Sequence, residues 1–266
     1  MPQDSFNPAD LYERIFVPAL FGPWADALAQ SASPRGEERI LDLACGTGAA
    51  GRAVMARLNG SSRVTGLDLD RRMLAVGAKS APGMGLLQGA GERLPLANGS
   101  FDLVLCQQGL QFFVDRQQGA NEIYRVLAPR GRAVVSAWQG IEHHPVYRAV
   151  YAALAERLGS DPTALGVIFS LPDSNDLVRL FVHAGFIEVS ARAEQRAAAI
   201  PQAGQFLRRT IRAAGINAPA YQALGPGERS TLVDEVCAAV MPGLSHYYDG
   251  EVLRMIMVAN IIEAKK

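Results

Sequence analysis

The sequence predicts an α/β protein built on a doubly wound, mostly parallel sheet. Three observations carry that reading. Short apolar runs alternate with helical stretches between residues 39 and 138, the pattern of a parallel sheet covered on both faces. The first run, Arg39-Ile40-Leu41-Asp42-Leu43, carries an acid at its end and breaks into the glycine turn Gly46-Thr47-Gly48. The second run, Arg63-Val64-Thr65-Gly66-Leu67-Asp68, ends in another acid. Right-handed crossovers between such strands restrict the topology to a doubly wound sheet.

Each element follows from local pattern. Residues 1–35 read as a helical preamble, with Leu11, Ile15, Phe16, Leu20, Phe21, Trp24 and Leu28 at helical spacing and Pro18 and Pro23 breaking it into pieces. A first strand at 39–44 leads to a helix of small residues at 48–58. A second strand at 63–68 is followed by a helix that Asp70 caps. A short strand at 84–88 precedes the strand Phe101 to Cys106. A helix at 117–127 is stopped by Pro129 and Gly131, and a fifth strand runs from Arg132 to Trp138. Helical material then fills Val146 to Leu158, and another helix runs from Asp173 to Ala184 and stops at Gly185. Phe186-Ile187-Glu188-Val189 reads as a sixth strand, residues 201–245 as broken helices, and Val252 to Ile262 as a closing strand.

Bulk properties exclude several classes. A chain of 266 residues that is 49% hydrophobic can bury a substantial core. Lys+Arg and Asp+Glu are equal at 26 each, so there is no electrostatic footprint for nucleic acid or an anionic membrane. Cys45, Cys106 and Cys237 are far apart, with neither metal spacing nor a disulfide framework, so no metal site is expected. No signal segment and no span-length apolar run appears, and a cytoplasmic setting is expected.

The strand–turn–helix–strand unit describes a nucleoside cofactor site. Ligands of open α/β sheets bind beyond the carboxyl ends of the strands. Gly46 and Gly48 allow a sharp turn and close approach of a ligand to backbone. A carboxylate at a strand end, here Asp68, can accept hydrogen bonds from both ribose hydroxyls. Gly46-Thr47-Gly48-Ala49-Ala50-Gly51 also fits the dinucleotide pattern G-x-G-x-x-G, which makes a nicotinamide-dependent oxidoreductase the alternative. Asp42 argues against it: an acid is unfavourable beside a pyrophosphate and suits a ligand with an ammonium group.

A second stretch, Leu87-Gln88-Gly89-Ala90-Gly91-Glu92-Arg93-Leu94-Pro95-Leu96-Ala97-Asn98-Gly99-Ser100-Phe101-Asp102-Leu103-Val104, adds to this. Cys106 to Phe113 and Glu122-Ile123-Tyr124-Arg125-Val126-Leu127-Ala128-Pro129-Arg130-Gly131 add further marks. Together these resemble the class I S-adenosylmethionine-dependent methyltransferases, in particular the small-molecule branch related to ubiquinone and menaquinone biosynthesis. The resemblance covers about residues 36–140. It implies a Rossmann-like methyltransferase fold of seven strands with an antiparallel last strand and helical lid insertions. It also implies one domain over 1–266: an N-terminal lid at 1–35, a cofactor-binding core at 36–140, acceptor-site lids at 141–175 and 201–250, and a closing strand at 252–264. By position, Asp42, Ala44 and Gly46 would line the methionine end of S-adenosylmethionine, with Gly48 completing the turn. Asp68 would hold the ribose, and Leu69 and Met73 would lie against the adenine. Ala90, Gly91 and Glu92 would border its edge, and Gln107 would lie near the sulfonium. Three positions depart from the family pattern. Ala44 replaces a glycine and is tolerable if its φ is negative. Ala90 replaces an acid, and Arg130 replaces the glycine of a Pro-Gly-Gly turn.

Methyl transfer from a sulfonium asks the protein mainly to position an acceptor and exclude water. A small lipophilic or aromatic acceptor, methylated at oxygen or carbon, fits the aromatic residues outside the sheet core. These are Phe6, Tyr12, Phe16, Phe21, Trp24, Tyr147, Tyr151, Phe169, Phe206 and Tyr221, joined by Phe112 and Phe113. His143, His144 and His246 are the candidate bases, because imidazole titrates near neutrality. The expected partner is a small-molecule methyl acceptor; a homodimer is left open. A fold that keeps the cofactor but has lost methyl transfer, as a binding protein or cyclase, is the remaining alternative.

Overall fold

The computed structural model describes residues 8–58 and 63–266. The chain opens with α1 (Pro8–Leu11), a wide π-type helical segment (Tyr12–Phe21) and α2 (Gly22–Ala32). The alternating part follows: β1 (Arg39–Leu43), α3 (Ala49–Arg57), β2 (Arg63–Asp68), α4 (Arg71–Ser80), β3 (Gly85–Gln88), β4 (Phe101–Gln107), α5 (Arg116–Val126) and β5 (Leu127–Trp138). Next come α6 (Pro145–Leu158), α7 (Pro162–Leu165), α8 (Ser174–His183) and β6 (Glu188–Ile200). Helices α9 (Ala203–Gly215), α10 (Pro219–Ala223) and α11 (Pro226–Val240) precede the closing strand β7 (Leu253–Lys265).

The seven strands form one sheet in the order β3-β2-β1-β4-β5-β7-β6. The first five are parallel, and β7 lies antiparallel between β5 and β6. The order reverses beside β1, so the chain leaves the paired strands β1 and β4 in opposite directions across the sheet, which makes their carboxyl ends the switch point. Ile40, Leu41 and Leu43 of β1 and Leu103, Val104 and Leu105 of β4 are wholly buried. That is why these strands read as unbroken apolar runs.

By compactness the chain divides into two units: 1–137, 173–194 and 259–266 in one, and 138–172 and 195–258 in the other. In the first, α2 packs on α3 and α5 on α8. In the second, α6 packs against both α9 and α11 around Val150, Leu154, Leu207, Ile211, Val233 and Val236.

The fifth strand, expected from Arg132, begins already at Leu127, and the sixth differs more in extent. The sixth strand, expected over Phe186–Val189, runs from Glu188 to Ile200. It is the sheet edge, and most of its residues are exposed. An edge strand needs little apolar sequence, and charged residues such as Arg192, Glu194 and Arg196 guard it against further pairing. The apolar pattern therefore stops long before the strand does.

Candidate cofactor site

The turn after β1 is set by backbone conformation. Gly46 (φ +56°) and Gly48 (φ +86°) both lie in the left-handed region, and Gly48 starts α3. Ala44 lies there too, at φ +54°, so the negative φ that would make its methyl group easily tolerated is not met. An alanine in that region costs roughly 1–2 kcal/mol. Its methyl group also shapes the next loop: a Cβ on Gly109 would sit 2.6 Å from the Ala44 Cβ and 2.9 Å from Cys106 Sγ. The loop after β4 thus packs directly on the turn after β1, and Gly109 is what lets it.

Asp42 is 1% exposed. Its Oδ2 accepts the Gly51 N–H at 2.8 Å, while its Oδ1 is buried with no hydrogen-bond partner among the described residues. Burial pushes its carboxyl up to about 7, against the lowering effect of the Gly51 bond. A buried acid with one oxygen unspent fits an ammonium group, which would restore its charge and fill its empty lone pairs.

Asp68 ends β2 on the same rim. Its Oδ2 accepts the Gly46 N–H at 2.7 Å and its Oδ1 the Asp70 N–H at 2.8 Å. The Leu69 N–H also acts on this carboxylate, and its about four lone-pair sites leave room for a hydroxyl donor. Burial raises its pKa, opposed by the Asp70 and Gly46 N–H donors. One carboxylate therefore braces the glycine turn and the start of the segment after β2.

A cavity of about 30 Å³ lies between the strand ends, lined by Tyr12, Asp42, Ala44, Cys45, Gly46, Ala49, Ala50 and Gln107. The Gln107 Nε2 donates to the Phe21 carbonyl at 2.8 Å, tying the end of β4 to the N-terminal segment. The buried phenol of Tyr12 packs beside Phe21 at 4.9 Å between ring centres. Burial, then the Asp68, Glu13 and Asp42 carboxylates, push its pKa far up, so it stays protonated. The aromatic preamble pointed to an acceptor role for Tyr12; its neighbours here are the cofactor residues. Thr47, wholly buried with a hydroxyl lacking a partner among the described residues, was also missed. Its only sequence signal is its place between two glycines.

The rim beyond β2 and β3 is less enclosed. Leu69 is 68% exposed, an apolar side chain left bare beside Asp68, and Met73 stands half-buried on α4. Ala90 and Gly91 are respectively half-buried and buried. A Cβ on Gly91 would meet the Phe113 ring at 2.1 Å, and one on Gly119 would meet it at 2.4 Å. Phe113 is wedged between these glycines, so its packing partner is the adenine loop, while Phe112 is exposed. Glu92 Oε1 accepts the Val114 N–H at 2.8 Å, closing that loop on Phe113. Glu122 and Arg125 on α5 hold the following turn. Glu122 Oε2 accepts the Leu94 N–H, and Arg125 donates to the carbonyls of Leu94 and Leu96 and to Asn98.

The three histidines belong to the second unit. His144 is 1% exposed and uses both ring nitrogens: Nδ1 donates to the Gly140 carbonyl at 3.0 Å, and Nε2 accepts the Val258 N–H at 3.1 Å. Burial lowers its pKa. With no free lone pair it cannot take a proton from an acceptor, which corrects the expectation of a base there. His143 and His246 are exposed. Tyr147, Tyr151, Phe169 and Phe206 are buried and pack edge-on or tilted around one another, with His144 stacked on Phe169 at 4.7 Å. Phe6 lies outside the described residues. Among the described residues no group of His, Cys, Asp or Glu is arranged to hold a metal ion, and no helix is long and apolar enough to cross a membrane.

Comparisons with known proteins match the stretch of chain that builds this rim. A family profile described as "Methyltransferase domain" fits residues 41–135, from β1 to β5. The demethylmenaquinone methyltransferase of Corynebacterium kroppenstedtii is 30% identical over 197 residues, spanning 69% of this chain and 82% of that one. The chain belongs to the methyltransferase family. The nicotinamide alternative finds no support in these matches. The match spans less than half the length of two Chlorobaculum demethylmenaquinone methyltransferases, 46% and 40%. Among solved structures, a Bacillus halodurans protein inferred to be a methyltransferase superimposes with a TM-score of 0.59 at 19% identity, covering 91% of this chain and 98% of that one. The phosphoethanolamine N-methyltransferase 2 of Haemonchus contortus, solved with S-adenosylhomocysteine, gives 0.55 at 16% identity over 92% of this chain and 52% of that one. At such identities these two speak for the fold.

Proposed function

We propose that this methyltransferase acts on a small lipophilic or aromatic metabolite at carbon or oxygen, with a hydroxylated ring of the quinol type as the leading acceptor class. The observation that carries the cofactor half of this reading is the unspent oxygen of the buried Asp42 carboxylate, at the switch point of the sheet. Bound S-adenosylmethionine would supply an electrophilic methyl group. This chain's own residues bind and orient it: Asp42 takes the ammonium, Asp68 the ribose hydroxyls, Leu69 and Met73 a face of the adenine, and Gln107 borders the sulfonium. Tyr12 roofs a cavity about the size of one water, so the N-terminal segment opens to admit the methionine moiety and then excludes solvent.

The acceptor class rests on the names of the curated relatives and on the uncharged character of the aromatic residues. His143 and His246 are the bases we retain. His143→Ala is expected to lower turnover at near-normal cofactor affinity; full turnover removes it from the chemistry. A cytoplasmic setting fits the absence of a membrane-crossing helix among the described residues, and a homodimer is compatible with it.

Calorimetry with S-adenosylhomocysteine, followed by transfer of a labelled methyl from S-adenosylmethionine to hydroquinones, tests the reading. Binding without label transfer to any phenolic or quinol acceptor would sink the acceptor class. Tight NADH binding in place of S-adenosylhomocysteine would sink the cofactor.

A further inference from the structure

Just past β4, Gln108 is a side chain that the cofactor site does not use. It is 5% exposed, and neither its amide oxygen nor its amide nitrogen has a hydrogen-bond partner among the described residues. Its backbone is left-handed at φ +45°, uncommon for a residue with a side chain. Its position is bracketed on both sides. Gln107 lines the cofactor cavity with Ala44, and the backbone of Gly109 lies against the Ala44 methyl. On the next strand, Ser136 stands opposite Gln107 in the β4–β5 register, and its carbonyl accepts the Gln108 N–H at 2.9 Å. The Ser136 hydroxyl is 1% exposed and likewise lacks a partner among the described residues.

A buried polar group without a partner costs about 1–3 kcal/mol, and native proteins keep few of them. Here one follows the end of β4 and the other sits on β5, and the Gln108 N–H to Ser136 carbonyl bond joins their backbones. Asp42 has its own explanation in the cofactor's ammonium. Gln108 and Ser136 have none in the cofactor roles assigned above.

Resting on the methyl-transfer reading, we propose that Gln108 and Ser136 form the polar recognition pair for the methyl acceptor, and that the group they read is an uncharged ring hydroxyl. The amide offers one acceptor and two donors, and the serine one donor and two lone pairs. A phenolic or enolic hydroxyl both donates and accepts, so it can satisfy the amide oxygen with its proton and take a bond from the amide nitrogen or the serine. Neither residue ionises in the neutral range. The pair therefore orients the hydroxyl without removing its proton, and discriminates against a ring that lacks it, because the orphaned atoms would stay orphaned.

The test uses Gln108→Met, which keeps length and shape and removes the polar atoms, alongside Ser136→Ala. The probes are S-adenosylhomocysteine, anaerobically reduced 1,4-naphthohydroquinone and methyl-labelled S-adenosylmethionine. In wild type the S-adenosylhomocysteine complex binds the hydroquinone. In Gln108→Met that affinity, and the matching KM, worsen at least tenfold while S-adenosylhomocysteine affinity stays within twofold. Without ligands, Gln108→Met melts at or above the wild-type temperature, because no internal bond is lost. A melting temperature several degrees lower would reveal a structural partner and overturn the pair. So would unchanged hydroquinone affinity, an equal loss of S-adenosylhomocysteine binding, or a wild type that binds no hydroquinone. A wild type that binds both ligands, loses hydroquinone affinity on Gln108→Met and yet transfers no label would sink methyl transfer and leave the recognition pair standing.

Discussion

At the strand-end rim of the first unit, Asp42, Thr47, Gln108 and Ser136 are buried with polar atoms that lack partners among the described residues. In the second unit the buried His144 spends both ring nitrogens on backbone and stacks within an aromatic core. Both places hold buried polar side chains, and only their hydrogen-bond accounts differ. A satisfied buried group stabilises a fold; an unsatisfied one lowers stability until a ligand completes it. Residue type alone, which made His144 look like a base, does not separate the two.

The sharpest way to break this contrast is Asp42→Asn, which keeps an oxygen for the Gly51 N–H and removes the charge. S-adenosylhomocysteine affinity should fall about 100-fold, roughly 2.7 kcal/mol, by calorimetry. An unchanged affinity would make Asp42 a purely structural acid.

A pH series sharpens the same point. Burial raises the Asp42 carboxyl from its ordinary 3.8 to about 7 in the ligand-free fold. Below that the group is protonated, and an ammonium ligand must drive a proton off. Affinity should therefore fall by up to tenfold per unit as pH drops below about 7, with proton release on binding, and Asp42→Asn should flatten the slope. The raised value also means that the native state holds this proton more tightly than the unfolded chain. Ionising Asp42 thus makes the ligand-free fold less stable as pH climbs from about 4 towards 7.

In the second unit the expectation reverses. His144→Ala orphans the Val258 N–H and opens a cavity under Phe169, so stability should drop by about 2 kcal/mol in denaturant melts. S-adenosylhomocysteine affinity should hold; a cofactor defect at normal stability would return His144 to the site. Asp68→Ala should weaken cofactor binding at least tenfold, about 1.4 kcal/mol, and loosen the Gly46 turn. The smallest effect is expected of Ala44→Gly, which relieves a left-handed alanine and should stabilise by less than about 1 kcal/mol. A loss of stability there would mean that the Ala44–Gly109 packing outweighs the strain.

Much of this was readable from residue order. The boundaries of the second strand, the Asp70 cap and the glycine turn with its flanking acids need only neighbours in sequence, because propensity, capping and turn chemistry are local. The resemblance of residues 36–140 rests on the same local signals. The edge strand β6 was read short because its pairing lies with β7, more than fifty residues downstream, and its own residues carry almost no apolar pattern.

The sequence by itself determined the α/β class, the first two strands with the glycine turn between them, and the aspartates Asp42 and Asp68 near their ends. Tertiary structure alone decided the rest. The sign of φ at Ala44 depends on where the strand must turn, and the neighbours of Tyr12 and Phe113 on helices and loops far away in the chain. Whether a buried His144 or Gln108 finds a partner is a fact about distant backbone groups. Hydrogen bonds are short-ranged and directional, so their presence or absence is fixed only when remote segments meet.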